Sequence, residues 1–230
     1  MTPALAWRLC ALAGLATLVI STGFGWIAGL TACGPSGGVG PILAFELART
    51  PEQLAALFGH EPCTSTLAAA QRTGLWLDML GFIPAYSAFL ALAGAALRPA
   101  WRHLGTLAIA AVLLAGLCDW LEGVVMFSLL GDLPGQPWQF GLLFWTVRPK
   151  FALLGLGEIL LAVLLLRHGW LGRIAALVLG VCGAIALFLI LIDPHDPLMM
   201  KAHSWGWTAL LILAMIAAIR PSLAAARQSA

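Results

Sequence analysis

Six stretches of this chain are apolar over the length a helix needs to cross a lipid bilayer, near residues 7–30, 73–97, 103–130, 150–166, 171–192 and 203–220. A helical crossing of a hydrocarbon core about 30 Å thick takes about 20 such residues. Within lipid every backbone N–H and C=O must find a partner inside its own segment, so runs of this kind fold as helices. The expected fold is therefore all-α: a polytopic transmembrane helix bundle of about six spans, in one membrane domain covering residues 1–230. Composition supports this class, because 61% hydrophobic and 10% charged residues leave too little polar surface to wrap a water-soluble globule. A net charge of +2 is too small for a nucleic-acid partner. The expected partner is the bilayer itself.

Charge sets the expected orientation, since basic residues flanking membrane helices are retained on the cytoplasmic side. In a six-span arrangement Arg8, Arg98, Arg102, Arg167, Arg173, Arg220 and Arg227 fall on one side, without a carboxylate among them. Both termini are then cytoplasmic, and the chain is a multi-pass protein of a bacterial cytoplasmic (inner) membrane. Tryptophan agrees, because its ring favours the lipid–water boundary. Trp7, Trp101 and Trp170 sit at predicted inner ends, and Trp26, Trp76, Trp138, Trp145, Trp205 and Trp207 near outer ends. The fourth span is expected to start after Pro149, since proline suits a first helical position. Residues 131–148, with Pro134, Gly135 and Pro137, then form a connection.

The outer segment, residues 32–72, contains Thr50-Pro51-Glu52-Gln53, a capping-box start that predicts a short amphipathic helix near 51–58, stopped by Gly59. Leu54, Leu57 and Phe58 would lay it on the membrane surface or over the bundle. Cys33 and Cys63 both fall in this segment and are candidates for a disulfide in an oxidising compartment. Leu30-Thr31-Ala32-Cys33 also fits a lipoprotein cleavage pattern, although the preceding apolar run is longer than such signals require. Gly25 and Gly29 form a GxxxG pair suited to close helix approach.

The residues most informative about function are the acids inside spans, because a charge at mid-bilayer costs at least about 2.5 kcal/mol. These are Asp78, Asp119, Glu122 and Glu158. Asp119 and Glu122, three apart, share a helix face. Glu122 and Glu158 are expected at matching depths, each about 12 Å below an outer helix end. Tyr86 lies two turns below Asp78 on a neighbouring part of the same face. Arg72, Arg148 and Lys150 are expected at the rim, leaving no base at the depth of Glu122 and Glu158. The acids must then be protonated, hydrogen-bonded, hydrated or neutralised by a cation. This predicts an outward-opening polar pocket between the second, third and fourth spans; the alternative is that the acids only tie helices together.

Phe45-Glu46-Leu47-Ala48, Leu77-Asp78 with Tyr86, Cys118-Asp119-Trp120-Leu121-Glu122 and Lys150 together resemble a group of uncharacterised multi-pass bacterial membrane proteins. The resemblance covers residues 42–166 and implies that Glu46, Asp78, Asp119, Glu122 and Lys150 belong to one site. That group typically has asparagine after the Asp-x-x-Glu, where this chain has Gly123.

A metal site is a weaker candidate, through His195, Asp196 and His203, whose spacing across a proline turn is not a ligand spacing on one helix. No phosphate-binding loop, nucleophile elbow, HExxH or paired haem histidines occur, so no cofactor is expected. No internal repeat of the transporter kind is evident, and a homo-oligomer would have to supply such symmetry. Three functions fit these residues. The first is binding or transport of a proton, cation or small molecule at the carboxyl cluster. The second is an enzyme acting on a lipid or isoprenoid, with Arg148 and Lys150 holding a phosphate-like head group. The third is a structural or assembly partner of a membrane complex.

Overall fold

A computed structural model describes residues 2–220. Its regular structure is helical throughout the described residues: α1 (Pro3–Phe24), α2 (Pro41–Glu46), α3 (Pro51–Phe58), α4 (Cys63–Leu77), α5 (Ile83–Leu97), α6 (Arg102–Gly131), α7 (Pro137–Leu165), α8 (Trp170–Ile192) and α9 (Leu198–Ile219). Five helical rods are long and apolar enough to cross a membrane: Pro3–Phe24, Cys63–Ala100, Arg102–Gly131, Trp170–Ile192 and Leu198–Ile219. Their outward faces are Leu, Val, Ile and Trp, among them Leu12, Val19, Leu177 and Leu191 at 64 to 69% exposure, as lipid-facing walls require. Arg227 lies outside the described residues.

The first rod is capped as its sequence dictates, with the Thr2 hydroxyl accepting the Leu5 N–H ahead of Pro3. It ends at Phe24, six residues short of the predicted limit. Gly25 is its C-cap, and Gly29, at φ +78°, lies in the following turn. The GxxxG pair therefore does not form a helix face. α1 and α9 meet where they begin and end, with Arg8 Nε donating to the Ala218 carbonyl, so the bundle has a near end holding both and a far end holding α2 and α3.

Two helices, α4 and α7, begin well before the sequence expectation, for one physical reason. Tertiary packing carries helices through residues that propensity alone would leave as loop. α4 begins at Cys63, ten residues before the predicted start at 73, and runs through Thr- and Gln-containing turns anchored by Gln71, whose side chain donates to the Pro41 carbonyl. α7 begins at Pro137, where Gln136 and Gln139 form the reciprocal cap, so Pro149 lies inside a helix rather than at its start. Arg148 Nη1 donates to the carbonyl of Ile190, close to the end of α8. The first three turns of α7 thus project beyond α8, beside the end of α6. The predicted start at 150 marks the level at which α7 joins the other rods.

Helices α7 and α8 cross closely through glycine. A Cβ added at Gly183 would fall 2.8 Å from Glu158 Cβ and 2.9 Å from the Gly155 carbonyl, and one at Gly155 would fall 2.9 Å from the Gly183 carbonyl. Small residues let backbones approach, which is how helices gain packing in lipid. Gly183→Ala is expected to lower stability by about 1 to 3 kcal/mol, read as a drop in unfolding midpoint in lipid nanodiscs.

At the far end α3 forms as predicted: Thr50 Oγ1 accepts the Gln53 N–H, and the Gln53 side chain reaches back to the Arg49 N–H. Leu54, Leu57 and Phe58 are buried, so this helix covers the bundle instead of lying on a membrane surface. Cys33 and Cys63 are joined in a disulfide that ties the α1–α2 connection to the start of α4.

Candidate functional site

The far half of the bundle holds a cavity of about 590 Å³, walled by α1, α2, α4, the turn around Asp78, α5, Asp119 of α6, α7 and α9. Its floor is apolar: a Cβ at Gly14 would lie 2.7 Å from Leu211 and 2.8 Å from Phe89. Its polar wall is built around one lysine. Lys150 Nζ, 3% exposed as a residue, lies 2.9 Å from Glu46 Oε2, 3.1 Å from Asp119 Oδ1 and 2.8 Å from Glu122 Oε2. Tyr86 completes the set by donating to Asp119 Oδ2 at 2.8 Å. Asp78 is half-buried and also lines the cavity.

Each residue arrives by a separate local cause. Asp119 and Glu122 share one face of α6, as their spacing requires. Glu46 is the last residue of α2, a short helix opened by Pro41, and this places its carboxyl over the bundle. Burial pushes that carboxyl above the ordinary carboxylate range, against the opposing pull of Lys150. Lys150 follows Pro149 within α7, so its depth is set by a helix that starts at Pro137, and the Phe151 ring lies 4.4 Å from its ammonium. The expectation that no base stands at the depth of Glu122 is therefore corrected: Lys150 does, because it is not at a helix end.

The chain segment carrying Asp78 is a π-turn, Asp78–Phe82, between α4 and α5. Such turns widen the helix and leave carbonyls free. The Met79 carbonyl is met by Trp120 Nε1 at 3.2 Å, which gives the mid-span tryptophan a role. Gly123 faces the same bulge: a Cβ there would lie 2.8 Å from Met79 Sδ. The absence of a side chain at Gly123 makes room for Met79.

Glu158 does not join this cluster. It lies eight residues beyond Lys150, about 12 Å along α7, and is 0% exposed. His203 Nδ1 lies 2.6 Å from its Oε1, and Trp207 Nε1 donates to the same oxygen at 2.6 Å. The expected pairing of Glu122 with Glu158 at one depth is corrected, since it rested on the shorter fourth helix. His203 and Trp207 both line the cavity, and Trp207 stacks on Tyr86 at 5.3 Å, so the two polar sets share one wall.

The remaining candidates lie elsewhere. Arg148 does not line the cavity; its guanidinium is over the Phe144 ring, as is that of Arg49. Burial and the nearby Arg148 push the Arg49 guanidinium down to about 10. Arg72 donates to the Leu130 carbonyl. Asp196 caps its own turn at the Leu198 N–H, while His203 turns inward to Glu158. Among the described residues no three His, Cys, Asp or Glu side chains are arranged to hold a metal ion, and the three weak ligand candidates are split between a surface turn and the interior. The sequence reading missed the roles of His203 and Trp207, weighing the first as a weak metal ligand and placing the second at the membrane boundary. The available signal was that an imidazole inside an apolar run needs a partner, and Glu158 was one of two acids expected to lack a base at its depth.

No family model, curated protein or solved structure matches this chain.

Proposed function

We propose that this chain is a multi-pass protein of a bacterial inner membrane that binds or transports a proton or cationic small molecule, taken from the outer side onto the carboxyl cluster around Lys150. In this reading α7 is the sixth crossing. It is 29 residues long, about 43 Å, and its Lys150 and Glu158 are turned inward and buried. Both termini are cytoplasmic, which places the near end with its arginines inside and the cavity outside.

The observation that carries the function is a charge count. Three carboxyls converge on one ammonium, Asp78 stands nearby, and the cavity reaches all but Glu122 of them. One lysine neutralises one carboxylate, and surplus charge in a low-dielectric site is met by protons or by a bound cation. A site built this way exchanges the two.

Asp119→Asn with Glu122→Gln removes two of the three carboxyls on Lys150 while retaining Glu46 as its partner. Proteoliposomes on a solid-supported membrane are expected to give a transient current on a pH or cation jump, and the double variant is expected to lose at least about tenfold of it, the scale of about 1.4 kcal/mol in binding. Equal currents from both proteins would contradict this function.

A second reading, an enzyme acting on a lipid, draws on the Glu158–His203 pair, whose carboxylate-oriented imidazole at a cavity wall suits general acid–base chemistry. The head-group version using Arg148 and Lys150 is not supported, because the first is outside the cavity and the second is held by three carboxyls. His203→Gln separates the readings: the current survives under the first, while turnover of a lipid is lost under the second.

A further inference from the structure

The cavity wall reaches the lipid-facing surface along the seam between α1 and α9. Leu18 and Ser21 on α1, and Lys201, Ser204 and Thr208 on α9, line the cavity and are exposed. Below them the two helices close, with the Gly14 position against Leu211. The opening is thus a slot in the side of the bundle, on the outer-leaflet side in the orientation proposed above.

The polar lining of the cavity is of two kinds. Lys201 presents an ammonium on the face of α9 that also carries Ser204 and Thr208, whose hydroxyls donate to the Met200 and Ser204 carbonyls of their own helix. His203 adds to this ammonium. Its Nδ1 is committed to Glu158, which does not line the cavity, and its Nε2 has no partner although the residue is 3% exposed. In a form that carries a proton on Nε2, that nitrogen is a donor without a partner. Glu46, Asp78 and Asp119, with their surplus of negative charge, line the same cavity. The rest of the lining is mainly aliphatic and aromatic, including Leu43, Phe82 and Leu154.

We infer that the occupant of this cavity is a zwitterionic membrane lipid with a primary ammonium and a phosphodiester, entering sideways between α1 and α9. Its phosphate is held by Lys201 and His203 of α9, its ammonium by the carboxyls, and its chains remain in the slot and the outer leaflet. A primary ammonium offers three N–H donors to the carboxyls, which a trimethylammonium cannot. An anionic lipid without an amine meets the acidic wall unpaired. The inference rests on the reading of the carboxyl cluster as a cation site.

The test is native mass spectrometry of the full chain released from nanodiscs of equal parts phosphatidylethanolamine, phosphatidylglycerol and phosphatidylcholine. The wild type is expected to retain phosphatidylethanolamine about tenfold over either competitor. Lys201→Glu, at the phosphate position, and Ser204→Trp, in the slot, are both exposed substitutions and are expected to remove that preference while the proton-driven current persists. Equal retention of the three lipids, or an unchanged preference in both variants, overturns the inference. If the current is present and the lipid preference absent, only the lipid assignment falls; if the wild type gives no current, the cation site itself is overturned.

Discussion

Lys150→Met is expected to lower stability by about 3 to 5 kcal/mol, the range for breaking a buried ion pair by removing one partner. The lysine is 3% exposed and is the cation within 3.1 Å of Glu46, Asp119 and Glu122. Its removal leaves three acids facing one another in a site that excludes most water, whereas methionine fills a similar volume. If lost packing were the cause, neutralising the acids would not help. If lost charge is the cause, Lys150→Met combined with Asp119→Asn and Glu122→Gln regains at least half of the loss, because replacing a whole buried ionic set by neutral groups is often tolerated. Thermal unfolding of the single and triple variants in lipid nanodiscs decides between these outcomes. A single variant as stable as wild type would show that the lysine is not what holds the acids.

His203→Ala is the second large effect, expected at about 3 kcal/mol, because it removes the partner of a carboxylate that is 0% exposed. Glu158 Oε1 would keep the Trp207 Nε1 bond at 2.6 Å and lose its imidazole partner. Glu158→Gln is expected to cost less, since an amide oxygen still accepts from Trp207. The pair in one double-mutant cycle is expected to show a coupling above about 1 kcal/mol, as contacting residues in a buried network do. Additive losses, measured by unfolding in the same nanodiscs, would mean that the two side chains stabilise the bundle independently.

How much of this was legible in the sequence depends on what fixed each feature. The α3 helix followed from Thr50, Pro51 and Gln53, because capping is local chemistry within four residues. Asp119 and Glu122 were placed on one face by helical spacing alone. The depth of Lys150 was not legible, since it depends on whether α7 runs through Pro149, and that is decided by α6 and α8 packing along its length. Periodicity carries no information on such support. The link from His203 to Glu158 joins positions 45 apart, and the near-contact of α7 and α8 at Gly155 and Gly183 helps set it. The bulge at Asp78–Phe82 was also unreadable, because its shape is supported from other helices, by the Trp120 bond, the space at Gly123, and the packing of Phe82 on Phe24 and of Gly81 against Ile20.

The surplus of acid over base around Lys150 is tested most directly by infrared difference spectroscopy of the protein in lipid, which reports protonated carboxyl groups through their C=O stretch. Wild type at neutral pH is expected to show a protonated-carboxyl band that is weaker in Asp119→Asn with Glu122→Gln, where Glu46 and Asp78 remain, and that falls when a primary alkylammonium is added, as the cation replaces the proton. A wild-type spectrum without that band, unchanged by the amine, would contradict the exchange of protons and cations at this site.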